Sequence, residues 1–180
     1  MSLYKMIDAA FPPPDAAGAS AVAGYIGGNT PHVWTRAEWQ RFAHVRQFPI
    51  WVGSGRTNGS SDGKIAVSAV RALGWAAHRP HRRAIICDVE TNNMRAYLDD
   101  FAAEVWGAGF QTEVYESMSV VAANPGKEGI WVADWDGIMD LPRGTNAHQY
   151  VPNVKYEGTE IDISVVSGEF MQHGGEGART

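Results

Sequence analysis

IICDVET, residues 85–91, is an apolar run that ends abruptly in two carboxylates, Asp88 and Glu90. Side chains two positions apart in a β-strand share a face, so Ile86 is predicted to point the same way as both acids, and Cys87 the opposite way. A strand that is apolar on both faces is typical of a parallel sheet covered by helices. The carboxyl end of such a strand opens onto the active-site face of a barrel. The stretch therefore predicts a buried parallel strand that delivers two acids to one site.

The same pattern, a short apolar run followed by a turn or a helix, recurs along the chain. Eight runs are predicted to be strands: YKMIDAA, AVAGYIGG, FPIWVGSG, RAIICDVE, FQTEVYES, GIWVADWDG, AHQYVPN and TEIDISVV. Three segments between them have the apolar spacing of helices, namely TRAEWQRFAHV, SDGKIAVSAVRALGWAAH and TNNMRAYLDDFAAEVWGAG. In the first of these, Thr35 is followed three residues later by Glu38, which predicts a capping box.

Strands that alternate with helices predict parallel pairing through right-handed crossovers, and eight of them predict a compact (β/α)8 barrel. Such barrels typically have about 250 residues. With 180 residues, several late helices should be shortened or missing, and the connections after Trp135 and Tyr150 are predicted to be loops. The alternative is an open doubly wound sheet, although no GxGxxG or phosphate-binding loop supports it. Residues 1–170 are predicted to form one domain, and residues 171–180 a flexible tail.

The composition argues against several classes of function. Apolar residues make up 44% and charged residues 19%, as in an ordinary globular protein. A net charge of −5 without any block of Lys or Arg argues against nucleic-acid binding. Cys87 is the single cysteine, and no closely spaced His pair suits a metal, so neither a metal nor another cofactor is predicted. No run approaches transmembrane length and the N-terminus lacks a signal-peptide pattern, so we expect synthesis in the cytoplasm and no membrane partner.

Acids also stand at other strand ends. Asp8 closes the first apolar run, Asp134 follows the sixth, and Asp162 lies in the eighth. In a barrel, Asp8 and Asp162 would converge on one mouth with the pair formed by Asp88 and Glu90. Crowded acids raise one another's pKa, so that one can remain protonated near neutral pH, and an acid paired with a base is what glycoside hydrolysis needs. The alternative is that each acid caps a helix or holds a loop amide.

In this order and spacing, the motifs resemble those of the glycoside hydrolase family 25 lysozymes, N-acetylmuramidases that cut the glycan of peptidoglycan. The resemblance covers about residues 6–166 and is carried by MIDAAF, AIICDVE, GIWVADWDG, HQY and EIDISVV. It implies a (β/α)8 barrel that uses carboxylates alone. Two departures are visible: PIWVGSGR lacks a Tyr-His-Phe-like ending, and His148 replaces the Trp that usually precedes Gln-Tyr. A related group of glycoside-hydrolase-like barrels shares much of this layout.

The resemblance also implies roles for individual residues. Glu90 would be the general acid. Asp88 would position the substrate N-acetyl group or stabilise charge, and Asp8 and Asp162 would complete the acidic cluster. The residues implied to bind substrate are Trp135, Tyr115, Tyr150 and Asp134.

The predicted function is cleavage of peptidoglycan glycan by a lysozyme-like glycosidase. Glycan strands are the predicted partner, with other virion or lysis proteins as further candidates. The enzyme would act at the cell wall after release or as part of a virion, and a bacterial effector delivered by another route would have the same sequence features. The alternative is a catalytically silent barrel that binds glycan or forms a structural part of a larger assembly.

Overall fold

The computed structural model describes residues 2–76, 83–121 and 129–176. The strands in these ranges are β1 (Leu3–Asp8), β2 (Ala21–Gly28), β3 (Arg46–Val52), β4 (Ala84–Asp88), β5 (Gln111–Ser117), β6 (Gly129–Ala133), β7 (Ala147–Tyr156), β8 (Thr159–Ser167) and β9 (Gly175–Glu176). The helices are α1 (Arg36–Arg41), α2 (Gly59–Ala72), α3 (Arg95–Gly107), α4 (Met118–Val121) and α5 (Gly168–His173). Strands β1 to β8 lie in the order β2-β1-β8-β7-β6-β5-β4-β3, and pairing of β2 with β3 closes the ring.

The closed ring confirms the barrel, and each of the eight predicted strands is present. Helices α1, α2 and α3 follow β2, β3 and β4, and the connection after β6 is a loop, as predicted. The loop predicted after Tyr150 is absent, because β7 continues to Tyr156 and is followed by a two-residue turn. The capping box of α1 is also confirmed, because the Thr35 side chain accepts from the Glu38 amide and the Thr35 amide donates to the Glu38 carboxylate. No helix in the described ranges is long and apolar enough to cross a membrane.

The prediction that all strands run parallel is wrong for β8. This strand is antiparallel to both of its neighbours, β1 and β7, while the other neighbouring pairs of the ring are parallel. The connection from β7 to β8 consists of only Glu157 and Gly158, both with positive φ. A two-residue turn of this kind makes a hairpin and is far too short for a crossover, so β8 must reverse direction.

The side chains of the barrel form two apolar layers. Ile86 lies in the interior layer, and Cys87 lies in the layer between the strands and the helices, as alternation along β4 predicts. The other buried members of the interior layer are Met6, Ala21, Ala23, Phe48, Ile50, Ala84, Tyr115, Trp131, Ala133, Ala147, Val166 and Phe170. The outer layer contains the buried faces of α2 and α3 together with Trp34, Trp39 and Trp75, so most tryptophans serve the core.

The C-terminal segment closes the bottom of the barrel, opposite the carboxyl ends of the parallel strands. Phe170 of α5 stacks on Phe48 with ring centroids 4.6 Å apart. His173 Nδ1 lies 2.6 Å from Glu113 Oε1, and β9 pairs with the start of β3. The predicted tail at residues 171–180 therefore differs from the structure, because residues 171–176 contribute packing and pairing to the fold. Residues 177–180 lie outside the described ranges.

Removal of the Phe170 ring should destabilise the barrel. Phe170 has no solvent exposure, and Phe170→Ala leaves a cavity among large aromatic side chains. We expect the free energy of unfolding to fall by about 3–5 kcal/mol. Urea denaturation would measure this, with Phe11→Ala as the control, because the Phe11 ring is 55% exposed. Equal effects of the two changes would contradict a structural role for α5.

Candidate active site

A pocket opens at the mouth of the barrel, where the parallel strands end. Asp8 and Asp88 are the last residues of β1 and β4, and Asp162 of β8 lies directly opposite Asp8 in the antiparallel register. The mouth thus receives carboxylates from three strands, and Glu90 follows two residues after the end of β4. The pocket is lined by Asp8, Tyr25, Ile50, Asp88, Glu90, Tyr115, Trp131, Trp135 and Asp162.

Gln149 of β7 connects the acids to the aromatic side chains of the pocket. Its Nε2 lies 3.2 Å from both carboxylate oxygens of Asp8 and 3.2 Å from Oδ2 of Asp162. Its Oε1 accepts from the Tyr115 hydroxyl at 2.9 Å and from the Trp135 indole N–H at 2.8 Å. Since Gln149 is 1% exposed, this single amide fixes four side chains of the mouth relative to one another.

The acids of the pocket are held in an environment that favours their protonated forms. Burial raises the pKa of Asp88 to about 8, and the negative charge of Glu90 adds to this. Burial, followed by the charges of Asp162 and Asp88, raises the pKa of Asp8 well above its ordinary value, although the Gln149 amide opposes the shift. Burial also raises the pKa of Asp162, against a hydrogen bond from the Asn153 amide. The mouth can therefore keep a carboxylic proton near neutral pH.

Asp88 has a further property that distinguishes it from its neighbours. Its side chain is 6% exposed, and its Oδ1 is buried without a hydrogen-bond partner among the described residues. A buried acceptor that lacks a partner is costly, and protonation or a bound donor relieves the cost. This oxygen belongs to a residue that lines the pocket, so a ligand hydroxyl or amide can reach the same acid.

Glu90 is exposed, unlike Asp88, and its backbone is tied to the loop between β3 and α2. The Glu90 amide donates to Ser54 Oγ at 2.7 Å, and the Gly53 amide donates to the Asp88 carbonyl at 2.8 Å. The carboxylate of Glu90 thus extends into solvent at the pocket while its main chain is fixed at the end of the strand.

The β3–α2 loop is held in place by contacts with Asp62 of α2. Arg56 makes a two-pronged contact with Asp62 in the first turn of α2, and its guanidinium lies over the Trp51 ring. The Tyr97 hydroxyl donates to the same carboxylate at 2.8 Å. Asp62 is 1% exposed and the Arg56 side chain is 36% exposed, so this partly buried ion pair stabilises the loop beside Glu90.

Six of the eight predicted site residues line the pocket: Asp8, Asp88, Glu90, Asp162, Trp135 and Tyr115. Tyr150 and Asp134 do not line it. Alternation explains both cases, because Gln149 takes the mouth-facing position on β7 and Tyr150 follows it, with its ring 6.1 Å from that of His148. Likewise, Ala133 belongs to the interior layer at the end of β6, so the next residue, Asp134, turns outward and is exposed.

Sequence reasoning passed over Gln149 and Tyr25, although alternation along the strands could have found them. Ala147 and Ala21 are small interior residues near the starts of β7 and β2. Counting in twos from these positions reaches Gln149 on β7 and Tyr25 on β2, both on the inward face. Gln149 was missed because the predicted site residues were restricted to acidic and aromatic side chains.

Neither a family model nor a curated protein sequence matches the chain. Solved structures do. The catalytic domain of the endolysin Ply40 from bacteriophage P40 of Listeria monocytogenes aligns with a TM-score of 0.72 and 14% identity, over 96% of this chain and 98% of that one. The lysozyme from Streptomyces coelicolor aligns at 0.69 and 19%, over 93% and 94%, and the GH25 lysozyme from Aspergillus fumigatus at 0.68 and 15%, over 93% and 95%.

The chain has the fold of the GH25 lysozymes. The resemblance inferred from the motifs is thereby confirmed at the level of the fold. The alignments extend along nearly the full length of this chain and of each lysozyme. In this lysozyme-like barrel, no group of three or more His, Cys, Asp or Glu within the described ranges is arranged to hold a metal ion.

The raised pKa of Asp88 predicts a stability change when the charge is removed. In the unfolded chain an Asp ionises near pH 3.9, so between that pH and about 8 the folded state holds one more proton. The stability contribution is therefore complete below about pH 4 and declines as the pH rises to 8. The stability of Asp88→Asn relative to wild type should therefore rise between about pH 4 and pH 8, because only the wild-type chain has to ionise a buried acid.

Urea denaturation at pH 4.5 and pH 8 checks this expectation. The stability difference between Asp88→Asn and wild type should grow between the two pH values. Asp100→Asn on the exposed face of α3 is the control, and its difference from wild type should stay constant. A constant difference for Asp88→Asn as well would mean that the folded chain tolerates an ionised Asp88.

Proposed function

We propose that the protein is a glycosidase that cleaves the glycan of peptidoglycan, in the manner of an N-acetylmuramidase, by carboxylate general acid catalysis. The observation that carries the proposal is the convergence of Asp8, Asp88, Glu90 and Asp162 on one pocket, beside the exposed indole of Trp135. Glycoside hydrolysis requires a proton donor and a carboxylate near one another, next to a surface on which a sugar can lie. The lysozyme-like fold supports the same assignment.

Glu90 is proposed as the general acid. A proton donor must reach the oxygen of the scissile bond, and Glu90 is the exposed carboxyl of the four pocket acids. The hydrogen bond from its amide to Ser54 fixes the main chain, so that the side chain alone has to adjust to a bound sugar. Glu90 also lies beside an acid whose environment keeps it protonated, and this neighbour limits the negative charge at the mouth.

Asp88 is proposed to bind the N-acetyl group of the substrate. With a pKa of about 8, it is largely protonated at neutral pH and can donate a hydrogen bond to the acetamido carbonyl. Asp8 and Asp162 are bridged by Gln149, and whichever of the two is ionised would stabilise positive charge on the sugar in the transition state.

The aromatic side chains are proposed to hold the sugar rings. Trp135 is 62% exposed, yet its indole N–H is bonded to Gln149, so the ring is oriented and still available. The Tyr115 hydroxyl donates to the same Gln149 side chain, which fixes the orientation of the Tyr115 ring at the pocket. A pyranose has one apolar face and polar edges. The apolar face of Trp135 can therefore contact the sugar ring while the nearby carboxyl groups accept hydrogen bonds from its hydroxyls.

The same comparisons support the predicted place of action. Endolysins and lysozymes share the fold, and we propose that this protein likewise acts on the cell wall after release or as part of a virion. Peptidoglycan is the proposed partner, and contacts with other virion or lysis proteins are a further proposal.

Glu90→Gln should abolish catalysis without unfolding the chain. The amide has the same shape but cannot donate a proton as an acid does, so we expect kcat to fall by about 100-fold or more. Release of reducing ends from purified peptidoglycan measures the rate, and mass analysis of the fragments identifies the bond. Glu169→Gln at the bottom of the barrel is the matched control and should retain the wild-type rate.

Two results would count against this assignment. Substantial activity in Glu90→Gln would remove Glu90 from the role of acid. Binding of glycan by the wild-type protein without any cleavage would support the second candidate, a catalytically silent glycan-binding barrel.

Trp135→Ala should weaken substrate binding more than it slows the chemical step. Loss of one oriented ring contact, worth about 0.5–1.5 kcal/mol, corresponds to a KM increase of about 2- to 10-fold. Trp106 is 41% exposed on α3, away from the mouth, and Trp106→Ala is the control. Steady-state kinetics on soluble glycan fragments would separate KM from kcat, and an unchanged KM in Trp135→Ala would exclude Trp135 from the substrate groove.

A further inference from the structure

The loop between β6 and β7, residues 134–146, takes the place of a missing helix and carries Trp135. Residues 134–140 are all exposed, and the large apolar side chains among them, Trp135, Ile138 and Met139, are 62%, 55% and 61% exposed. Its main-chain contacts with β7 include the Asp134 amide on the Gln149 carbonyl and the Gly137 amide on the Tyr150 carbonyl. The position of Trp135 therefore depends on a small number of polar contacts.

His148 of β7 lies beneath this loop and contacts it through both ring nitrogens. The side chain is fully buried. Its Nε2 lies 2.8 Å from the Asp134 carbonyl oxygen, and its Nδ1 lies 2.9 Å from the Asp140 carbonyl oxygen. The two contacts are made to opposite ends of residues 134–140, so one imidazole bridges the exposed part of the loop.

The number of protons on the ring determines whether both contacts can be hydrogen bonds. A carbonyl oxygen only accepts hydrogen bonds, and a neutral imidazole has one N–H, so a neutral His148 can donate to one carbonyl and must turn a lone pair toward the other. At hydrogen-bonding distance, two facing lone pairs repel. Both contacts are favourable only in the imidazolium, which donates from both nitrogens.

Two carboxylates of the loop lie near the ring. Asp136 Oδ1 lies 3.9 Å from Nε2, and Asp140 Oδ1 lies 3.7 Å from Nδ1. The neighbours of His148 in register are Val132 on β6 and Val165 on β8, which carry no charge. Among the described residues, the phenol ring of Tyr150 also lies near the imidazole, at a centroid distance of 6.1 Å.

We propose that His148 is a positioning residue that, as an imidazolium, fastens both ends of residues 134–140 to β7 and so holds Trp135 over the acidic pocket. Loss of the ring proton breaks one of the two contacts and loosens the loop. The fastening of the loop stands on the geometry alone. Its effect on substrate affinity rests on the proposed function, through the role of Trp135.

Nuclear magnetic resonance of the wild-type protein tests the fastening without any substrate. Ring nitrogen shifts report whether both His148 nitrogens carry protons, and the Trp135 indole N–H reports the loop. When the ring proton is lost on raising the pH, a shift of the Trp135 signal and of the amides of residues 134–140 should accompany the loss. A ring that becomes neutral while these signals stay unchanged would overturn the proposal.

If the ring stays charged at every pH that can be measured, the variant His148→Gln tests the proposal instead. A Gln amide places both of its N–H groups on one nitrogen and cannot reach two carbonyls on opposite sides. The Trp135 signal of this variant should be displaced at every pH, whereas that of His44→Gln, a change at an exposed histidine, should match wild type. A wild-type Trp135 signal in folded His148→Gln would also overturn the proposal.

Kinetics separates positioning from a general structural role. On soluble glycan fragments, His148→Gln should raise KM by about 2- to 10-fold, as for Trp135→Ala, with kcat little changed. The double variant His148→Gln, Trp135→Ala should raise KM no further than either change alone, because both act through the same ring. Additive effects would contradict the proposal. Absence of any glycan cleavage would instead contradict the proposed function and leave the resonance measurements to decide on the loop.

Discussion

The contact of the Gln149 amide with Asp8 and Asp162 is the constraint on which the mouth of the barrel depends. Two carboxyl groups from neighbouring strands are placed opposite one another in a partly dry site, an arrangement that repels when both are ionised. Gln149 supplies N–H donors to both acids, and its carbonyl oxygen orients Tyr115 and Trp135. The acids and the aromatic rings are therefore parts of one hydrogen-bonded unit rather than independent features of the pocket.

This arrangement follows from the reversed direction of β8. Asp162 is the fourth of nine residues in that strand and pairs with Asp8, the last residue of β1. The two-residue turn at Glu157 and Gly158 reverses the strand and brings its first half to the mouth beside Asp8. A local backbone requirement, positive φ at two successive residues, thus determines which acids share the site.

Much of this could be predicted from the sequence because the signals are local and periodic. The apolar runs gave the eight strands, and alternation around Asp88 gave the faces of β4 correctly, with Cys87 in the outer layer. What the sequence did not reveal depends on contacts between distant segments. The bridging role of Gln149 requires β1, β7 and β8 to be neighbours, and the packing of Phe170 on Phe48 requires the C-terminal segment to return to the start of β3. The antiparallel β8 is an intermediate case, because its direction follows from a local two-residue turn, whereas the strand–helix alternation predicts parallel pairing.

The closure of the barrel bottom has a consequence for how the protein could be attached to a surface. Leu3 begins β1 at the bottom of the barrel, where it pairs with Ser167, and β9 lies at the same end, beside the start of β3. Both ends of the described chain thus face away from the acidic mouth. A tether or fusion partner joined at either end would leave the pocket pointing outward, so the protein could be immobilised on a bead or displayed on a particle with its mouth open to an insoluble polymer.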